Sequence, residues 1–132
     1  MRIGSIGFFL SLYGDWARGK SLLDKAMSQN IGYPLIYHGA TTLYYYRQGD
    51  YEAAYAEAFQ YDLPKLFWAP MLRVACLGQL GRHEEAKGDI EQLMLLRPDF
   101  AEKAKMLISR YVKEDGLVEQ VMNGLRKAGM IF

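Results

Sequence analysis

Cysteine and histidine are scarce in this sequence of 132 residues, which has one cysteine and two histidines. Because Cys76 has no second cysteine with which to form a disulfide, we expect a reducing compartment and a cytoplasmic location. His38 and His83 lie far apart in the sequence, and neither belongs to an HExxH or CxxC spacing. We therefore expect no metal site.

An excess of charge of one sign and long apolar runs are also missing. The 16 Lys and Arg residues nearly balance the 15 Asp and Glu residues, which leaves a net charge of +1. That balance gives no electrostatic reason to expect nucleic acid or an anionic membrane as a partner. The opening stretch MRIGSIGFFLSLYG starts like a signal peptide, but its apolar part is too short to span a bilayer and no small-residue cleavage site follows.

Glycine turn signals, in contrast, recur through the chain. Gly14, Gly49 and Gly81 are separated by 35 and 32 residues, which brackets the period of about 34 residues of a helix-turn-helix tetratricopeptide unit. Asp15 and Asp50 follow the first two glycines, where an aspartate can cap the start of a helix. The spacing predicts that each glycine is the turn inside a helical hairpin.

Small residues support these hairpins. Gly19, Ala54 and Ala86 each lie five positions after one of the three glycines. Two helices that cross closely need a small side chain where they touch. We therefore predict that the second helix of each hairpin packs back on the first through these positions.

The predicted fold is all-α: a right-handed superhelix of tetratricopeptide-like hairpins with about eight helices. Pro70 is compatible with this fold only in the first turn of its helix, and Asp99 with Glu102 has capping-box spacing. The predicted helices cover residues 2–13, 16–29, 34–47, 51–61, 67–80, 83–96, 99–111 and 115–128. We expect one domain over 1–132, with repeats 1–32, 33–64 and 65–98 and a C-terminal helical pair over 99–132.

Five stretches carry a family resemblance, namely GDWARGKSLLDKAM, YRQGDYEAAYAEA, LFWAPMLRVACLGQLGRHEEA, LRPDFAEKA and GLRKAGM. Together they resemble the C-terminal tetratricopeptide segment of bacterial signalling proteins with a class III adenylate or guanylate cyclase domain, or a winged-helix DNA-binding domain. The resemblance implies a sensory or protein-interaction role, with catalysis located elsewhere. Two positions depart from the repeat pattern: Ile31 replaces a closing proline, and Arg73 stands where a buried apolar residue is commoner.

We expect neither catalysis nor a bound cofactor in this chain. Cys76 lies on a predicted buried face with no His or Asp placed to activate it, which favours a small core residue over a nucleophile. The stretch HEEAK lacks the second histidine of a metalloprotease motif, and GQLGR lacks the Lys-Ser/Thr pair of a phosphate loop. The apolar first helix, in an array that usually ends in a polar cap, suggests that the chain is the C-terminal part of a larger protein.

Candidate binding residues follow from the superhelix, because the first helix of each hairpin lines its concave surface. That surface is apolar and aromatic, which suits a protein or peptide segment, including a second copy of the chain in a homodimer. The candidates are Phe8, Leu12, Ile36, Leu43, Tyr46, Arg47, Trp68, Met71 and Gln79.

Two states of this surface remain open. It is either a free groove or a face covered by dimer packing or by the C-terminal helices, with Leu117, Val121 and Leu125 folded into it. Replacing Tyr46 by Ala separates the two states: weaker partner binding with little loss of helicity indicates a groove, and a much lower melting temperature indicates a core.

Two functions remain open as well. The first is a non-catalytic interaction or scaffold module, regulatory or self-associating, in a bacterial signalling protein. The second is a small-molecule-sensing helical domain that controls an attached effector domain. An enclosed pocket with convergent polar groups favours the sensor, and an open apolar face favours protein contact.

Overall fold

Seven helices form the part of the chain that the computed structural model describes, which is residues 16–29, 37–60, 66–110 and 112–132. No strand occurs in these residues, so the predicted all-helical class is confirmed. The helices are α1 (Trp16–Gln29), α2 (Tyr37–Arg47), α3 (Tyr51–Gln60), α4 (Trp68–Leu80), α5 (His83–Leu96), α6 (Phe100–Ser109) and α7 (Asp115–Lys127).

The helix bounds follow the predicted ones closely. α1 and α5 have the predicted ends, and α4 begins one residue later than predicted. α6 is one residue shorter at its start and two at its end, and α7 ends one residue earlier. The predicted first helix over 2–13, Gly14, Asp15 and the start of the third predicted helix over 34–36 lie outside the described residues.

The repeated glycines form the same turn. Gly49 and Gly81 have φ values of +83° and +74°, the left-handed region that favours glycine. After each of them, the next backbone N–H bonds to the carbonyl five residues back: Asp50 to Tyr45 at 3.0 Å and Arg82 to Leu77 at 2.9 Å. This is the hydrogen bond of a Schellman helix end. The glycines therefore end α2 and α4 in one shared geometry.

Helix capping agrees with the sequence at one position and differs at another. The Asp50 carboxylate accepts a hydrogen bond from the Ala53 N–H at 3.3 Å, as expected of a cap. Asp99 lies at the N-cap of α6 but makes no capping hydrogen bond. Its oxygens instead pair with Arg97 Nε at 2.8 Å and Lys103 Nζ at 3.4 Å. The two cations compete for the carboxylate, so the predicted capping box is wrong here.

Helix α4 lies at the centre of the described structure. Every residue from Ala69 to Gly78 is buried, because α2, α3, α5 and α7 all pack against it. Pro70 lies in its first turn, as predicted, where a missing N–H breaks no helical hydrogen bond. Such an all-round apolar helix can only be stable when neighbours cover each face.

The helices pair into two hairpins, and α4 belongs to the second. α2 packs on α3, α4 packs on α5, and α3 packs on α4. The small residues Ala54 and Ala86 have no exposed surface, and Gly19 of α1 is also buried. Their burial is compatible with the predicted role of small residues in close helix packing.

Arg73 shows how a charged residue fits in this core. It is 9% exposed, and its Nε donates to Asp89 Oδ1 of α5 at 3.0 Å. A buried charge is tolerated when it is paired and hydrogen-bonded. The departure from the repeat pattern at this position is thus compensated by a partner on the second helix of the same hairpin.

Candidate functional site

The residues predicted for the concave surface separate into three groups. Phe8, Leu12 and Ile36 lie outside the described residues. The other six belong to α2 and α4, which are neighbours in space. Leu43, Tyr46 and Met71 are at most 2% exposed, whereas Arg47, Trp68 and Gln79 keep part of their surface in solvent.

Leu43, Tyr46 and Met71 are therefore core residues in this structure, and a partner cannot reach them. Helix α7 packs on α4 and contacts Tyr46 near the end of α2. Leu117, Val121 and Leu125 on the apolar face of α7 are each at most 1% exposed. Burial of three such side chains contributes on the order of 1.5–3 kcal/mol each. Of the two states that the sequence left open, this geometry corresponds to the covered face. We call the surface of α2 and α4 beneath α7 the helix-binding face.

Glycines bring α4 and α7 into direct backbone contact. A Cβ built on Gly78 would collide with the backbone carbonyl oxygen of Gly124 and lie 2.9 Å from the Ala128 nitrogen. A Cβ on Gly124 would lie 2.6 Å from the Ala75 carbonyl oxygen and would also collide with the Tyr46 hydroxyl. No larger side chain fits at either position, so the crossing requires glycine on both helices.

Hydrogen bonds fix the register of α7 on this face. The Tyr46 hydroxyl donates to the Gln120 backbone carbonyl at 2.5 Å, and Gln79 Nε2 donates to the same hydroxyl at 3.1 Å. The Gln120 amide in turn donates to the Tyr46 carbonyl at 2.7 Å and to the Tyr51 hydroxyl at 3.1 Å. Polar groups of four helices, α2, α3, α4 and α7, thus satisfy each other at one point, which specifies a single position for α7.

Contacts at the rim complete this attachment. Arg47 Nε lies 3.0 Å from Glu114 Oε1, just before α7 begins. Lys127 Nζ donates to Gln79 Oε1 at 2.8 Å, near the end of α7. Both contacts involve exposed side chains, so each contributes at most about 1 kcal/mol. Arg47 and Gln79 were predicted to meet a partner; here Arg47 meets Glu114 just before the chain's own C-terminal helix, and Gln79 meets Lys127 on that helix.

Sequence reasoning did not identify Gln120 and Gly124 as site residues. The signal for Gly124 is its place inside the strongly amphipathic α7, next to Leu125 and three residues after Val121. A glycine there weakens the helix by about 1 kcal/mol unless a close backbone approach requires it. Gln120 carries no comparable signal, because a glutamine on a helix is usually solvent-exposed.

A second set of polar groups lies near the start of α2. His38 Nδ1 and Glu57 Oε2 are 2.8 Å apart, and His38 is 5% exposed. One turn further on, the Thr41 hydroxyl is buried and has no hydrogen-bond partner within the described structure. Lys20 Nζ of α1 lies 5.5 Å from the ring centre of Tyr45. The His38–Glu57 pair is the only one of these contacts that joins two polar side chains directly.

Cys76 is a core residue, as the sequence predicted. Its side chain has no exposed surface, and burial raises the pKa of the thiol to about 12. A thiol with such a pKa is not a nucleophile at neutral pH. Among the four described segments, no three His, Cys, Asp or Glu side chains are grouped so that they could hold a metal ion.

No helix of the described segments combines the length and the apolar character needed to cross a membrane. No family model, no curated protein and no solved structure matches the chain. The function is therefore inferred from the sequence pattern and from the geometry of the helix-binding face.

Proposed function

We propose that this chain is a non-catalytic protein-interaction module that works by accepting an amphipathic helix on the helix-binding face. The observation that carries the proposal is the packing of α7 on α4, in which Gly124 meets the Ala75 backbone and the Gln120 amide bonds to the Tyr46 carbonyl of α2. Recognition of an amphipathic helix by a preformed apolar face is a common mode of protein association.

The hairpin pattern supports a tetratricopeptide-like module. The turns at Gly49 and Gly81 share one geometry and lie 32 residues apart. The order in which α2 pairs with α3, α3 with α4 and α4 with α5 is the order expected of successive stacked hairpins. With the sequence resemblance, this supports a regulatory or self-associating role in a bacterial signalling protein of the cyclase or winged-helix type.

The mechanism needs no covalent chemistry. Apolar burial supplies the free energy of association, and the backbone contact between glycines together with the Gln120 hydrogen bonds supplies specificity. A helix with a larger residue at the position of Gly124 would be excluded by the Ala75 backbone.

Light scattering coupled to size-exclusion chromatography tests the proposal directly. For a self-associating module, the mass should rise from that of a single 15.1 kDa chain to a defined oligomer as the concentration increases. A chain that stays monomeric at every concentration and binds no stoichiometric partner in its native extract contradicts the proposal.

A sensor is the second candidate, favoured by the polar groups around His38 and Glu57. The Thr41 hydroxyl, three residues after His38 on α2, is buried without a partner among the described residues, which is unusual for a protein core. A small polar ligand would satisfy it. Native mass spectrometry of the purified chain tests this, because a bound ligand adds a discrete mass that Thr41→Val should abolish. An unliganded mass in both proteins contradicts the sensor.

A further inference from the structure

We propose that α7 exchanges between two copies of this chain. In the resulting dimer, α7 of each copy lies on the helix-binding face of the other copy. The inference rests on the proposed function and names both the partner and the site. The partner is a second copy, and the site is the face of α2 and α4 that α7 covers in the single chain. Exchange of an identical element is a low-cost route to a dimer, because it reuses existing contacts.

The packing of α7 allows the whole helix to separate from α4 while α6 stays in place. It packs more extensively on α4 than on α6, the helix that precedes it in the chain. Only the short segment from Arg110 to Glu114 joins α6 to α7, and Glu114 has an extended backbone, with φ −111° and ψ 108°. Tyr111 of this segment lies outside the described residues. The length of the connection sets how readily α7 reaches the face of its own chain.

The contacts favour a second copy over an unrelated helix. A competing helix would need a glycine where Gly124 touches Ala75, and a glutamine one turn earlier to bond both the Tyr46 carbonyl and the Tyr51 hydroxyl. It would also need apolar residues in the positions of Leu117, Val121 and Leu125. A second copy of the chain has each of these residues by identity.

The rim ion pair holds the connection in the closed form. Arg47 and Glu114 lie 3.0 Å apart, with 41% and 33% of their side chains exposed. Because salt screens such exposed pairs, higher ionic strength should increase the rate of exchange. Glu114→Gln should have the same effect at low salt.

Directed cross-linking tests the exchange. One chain carries Gln79→Cys on α4 and the other carries Lys127→Cys on α7, both with Cys76→Ala; the native side chains of these two positions are in contact. The two proteins are mixed, warmed to release α7, cooled and treated with a short bismaleimide. Exchange predicts a cross-linked heterodimer with one chain of each kind. Its yield should be several-fold higher than that of a control pair, in which the exposed Glu91 of α5 is replaced by Cys in one chain and Lys127 by Cys in the other.

Equal yields from the test pair and the control pair overturn the proposal, provided that amide exchange shows that warming opens α7.

Hinge-length variants give a second, independent test. Deleting the exposed Lys113 should raise the dimer fraction several-fold, because α7 then no longer reaches its own face. Inserting Gly-Ser-Gly between Lys113 and Glu114 should lower it. A dimer fraction that is the same in both variants as in the original chain overturns the exchange.

The outcomes separate this inference from the proposed function. One outcome is a dimer that forms without cross-linking between α4 and α7 and without dependence on hinge length. That result supports a self-associating module and contradicts the exchange. A chain that stays monomeric and binds no partner removes both.

Discussion

Tyr46 combines a large apolar ring with a phenol that has two polar neighbours. Its side chain has no exposed surface, and its ring lies 5.0 Å from that of Tyr51 in an edge arrangement. Its hydroxyl donates to Gln120 and accepts from Gln79. A buried tyrosine is stable when its hydroxyl is satisfied in this way. The same features that make tyrosine suitable for an interface therefore make Tyr46 a core residue here.

Replacing Tyr46 by Ala should lower the free energy of unfolding by about 3–5 kcal/mol, because it leaves a cavity beneath α7. Tyr46→Phe should cost only about 1 kcal/mol, since it removes the hydrogen bonds and keeps the ring. Urea titration followed by circular dichroism measures both values. The half-buried Tyr44 on the same helix is the control, and Tyr44→Ala should cost clearly less. If the free energy of unfolding of Tyr46→Ala were unchanged, Tyr46 would be a surface residue and not a core residue.

Two buried groups make the stability sensitive to alkaline pH. Burial raises the pKa of Cys76 from 9.0 to about 12, and it raises the pKa of Tyr46 above its ordinary value of 10.0. Both groups are neutral when protonated, so their contribution is complete below the unfolded pKa and is lost as the pH rises towards the folded pKa.

The free energy of unfolding should therefore begin to fall above about pH 9, by about 1.4 kcal/mol per pH unit for each group that titrates. Chemical denaturation at a series of pH values measures the slope. In Cys76→Ala the fall should begin only near pH 10, where unfolded tyrosine ionises. Parallel profiles for the two proteins between pH 9 and 10 would show that Cys76 is accessible in the folded chain.

At the scale of elements, the backbone contact with α4 limits where α7 can pack. Gly78 and Gly124 let the two backbones touch, with Ala75 and Ala128 beside them. Small residues at a helix crossing set the distance and the angle of approach. The apolar side chains of α7 stabilise the pair, and the glycines decide where it can form.

Gly124→Ala should lower the free energy of unfolding by about 2 kcal/mol or more, because the added methyl group meets the Ala75 backbone, which cannot move alone. Gly88→Ala is the matched control: this glycine is exposed inside α5 and a Cβ there meets nothing within 4 Å. That change should stabilise the chain by about 0.5–1 kcal/mol through helix propensity alone. Thermal melts of both variants test the pair, and equal effects would exclude close contact at Gly124.

At the scale of the whole molecule, α4 links the other helices. α2, α3, α5 and α7 each cover part of it, so unfolding any one of them exposes apolar surface on α4. Linear repeat arrays have mainly nearest-neighbour contacts and can unfold in parts. The contact of α7 with α2, 74 residues apart in sequence between Tyr46 and Gln120, adds a long-range connection.

We expect the chain to unfold in a single transition, with coincident curves from far-ultraviolet circular dichroism and tryptophan fluorescence. The form with α7 released should be only a minor state under native conditions. Two separated transitions would show that α7 and the hairpins are energetically independent.

The sequence alone predicted the local structure well. The helix bounds and the turns at Gly49 and Gly81 depend on periodicity and on backbone freedom within a few residues, so a local pattern is sufficient to locate them. The central position of Cys76 and the small residues Ala54 and Ala86 followed from the same pattern. The cap at Asp99 did not, because Arg97 and Lys103 compete for its carboxylate.

By itself, then, the sequence determined that this chain forms helical hairpins and that one face of α2 and α4 is apolar. Only the tertiary structure decided what covers that face. Apolar burial is not directional, so an apolar stripe requires that some segment packs on it but does not specify which segment. The choice of α7 depends on the backbone contact between Gly78 and Gly124 and on the bonds of Gln120 to Tyr46 and Tyr51. Those contacts join residues far apart in sequence, and they exist only once the helices have packed.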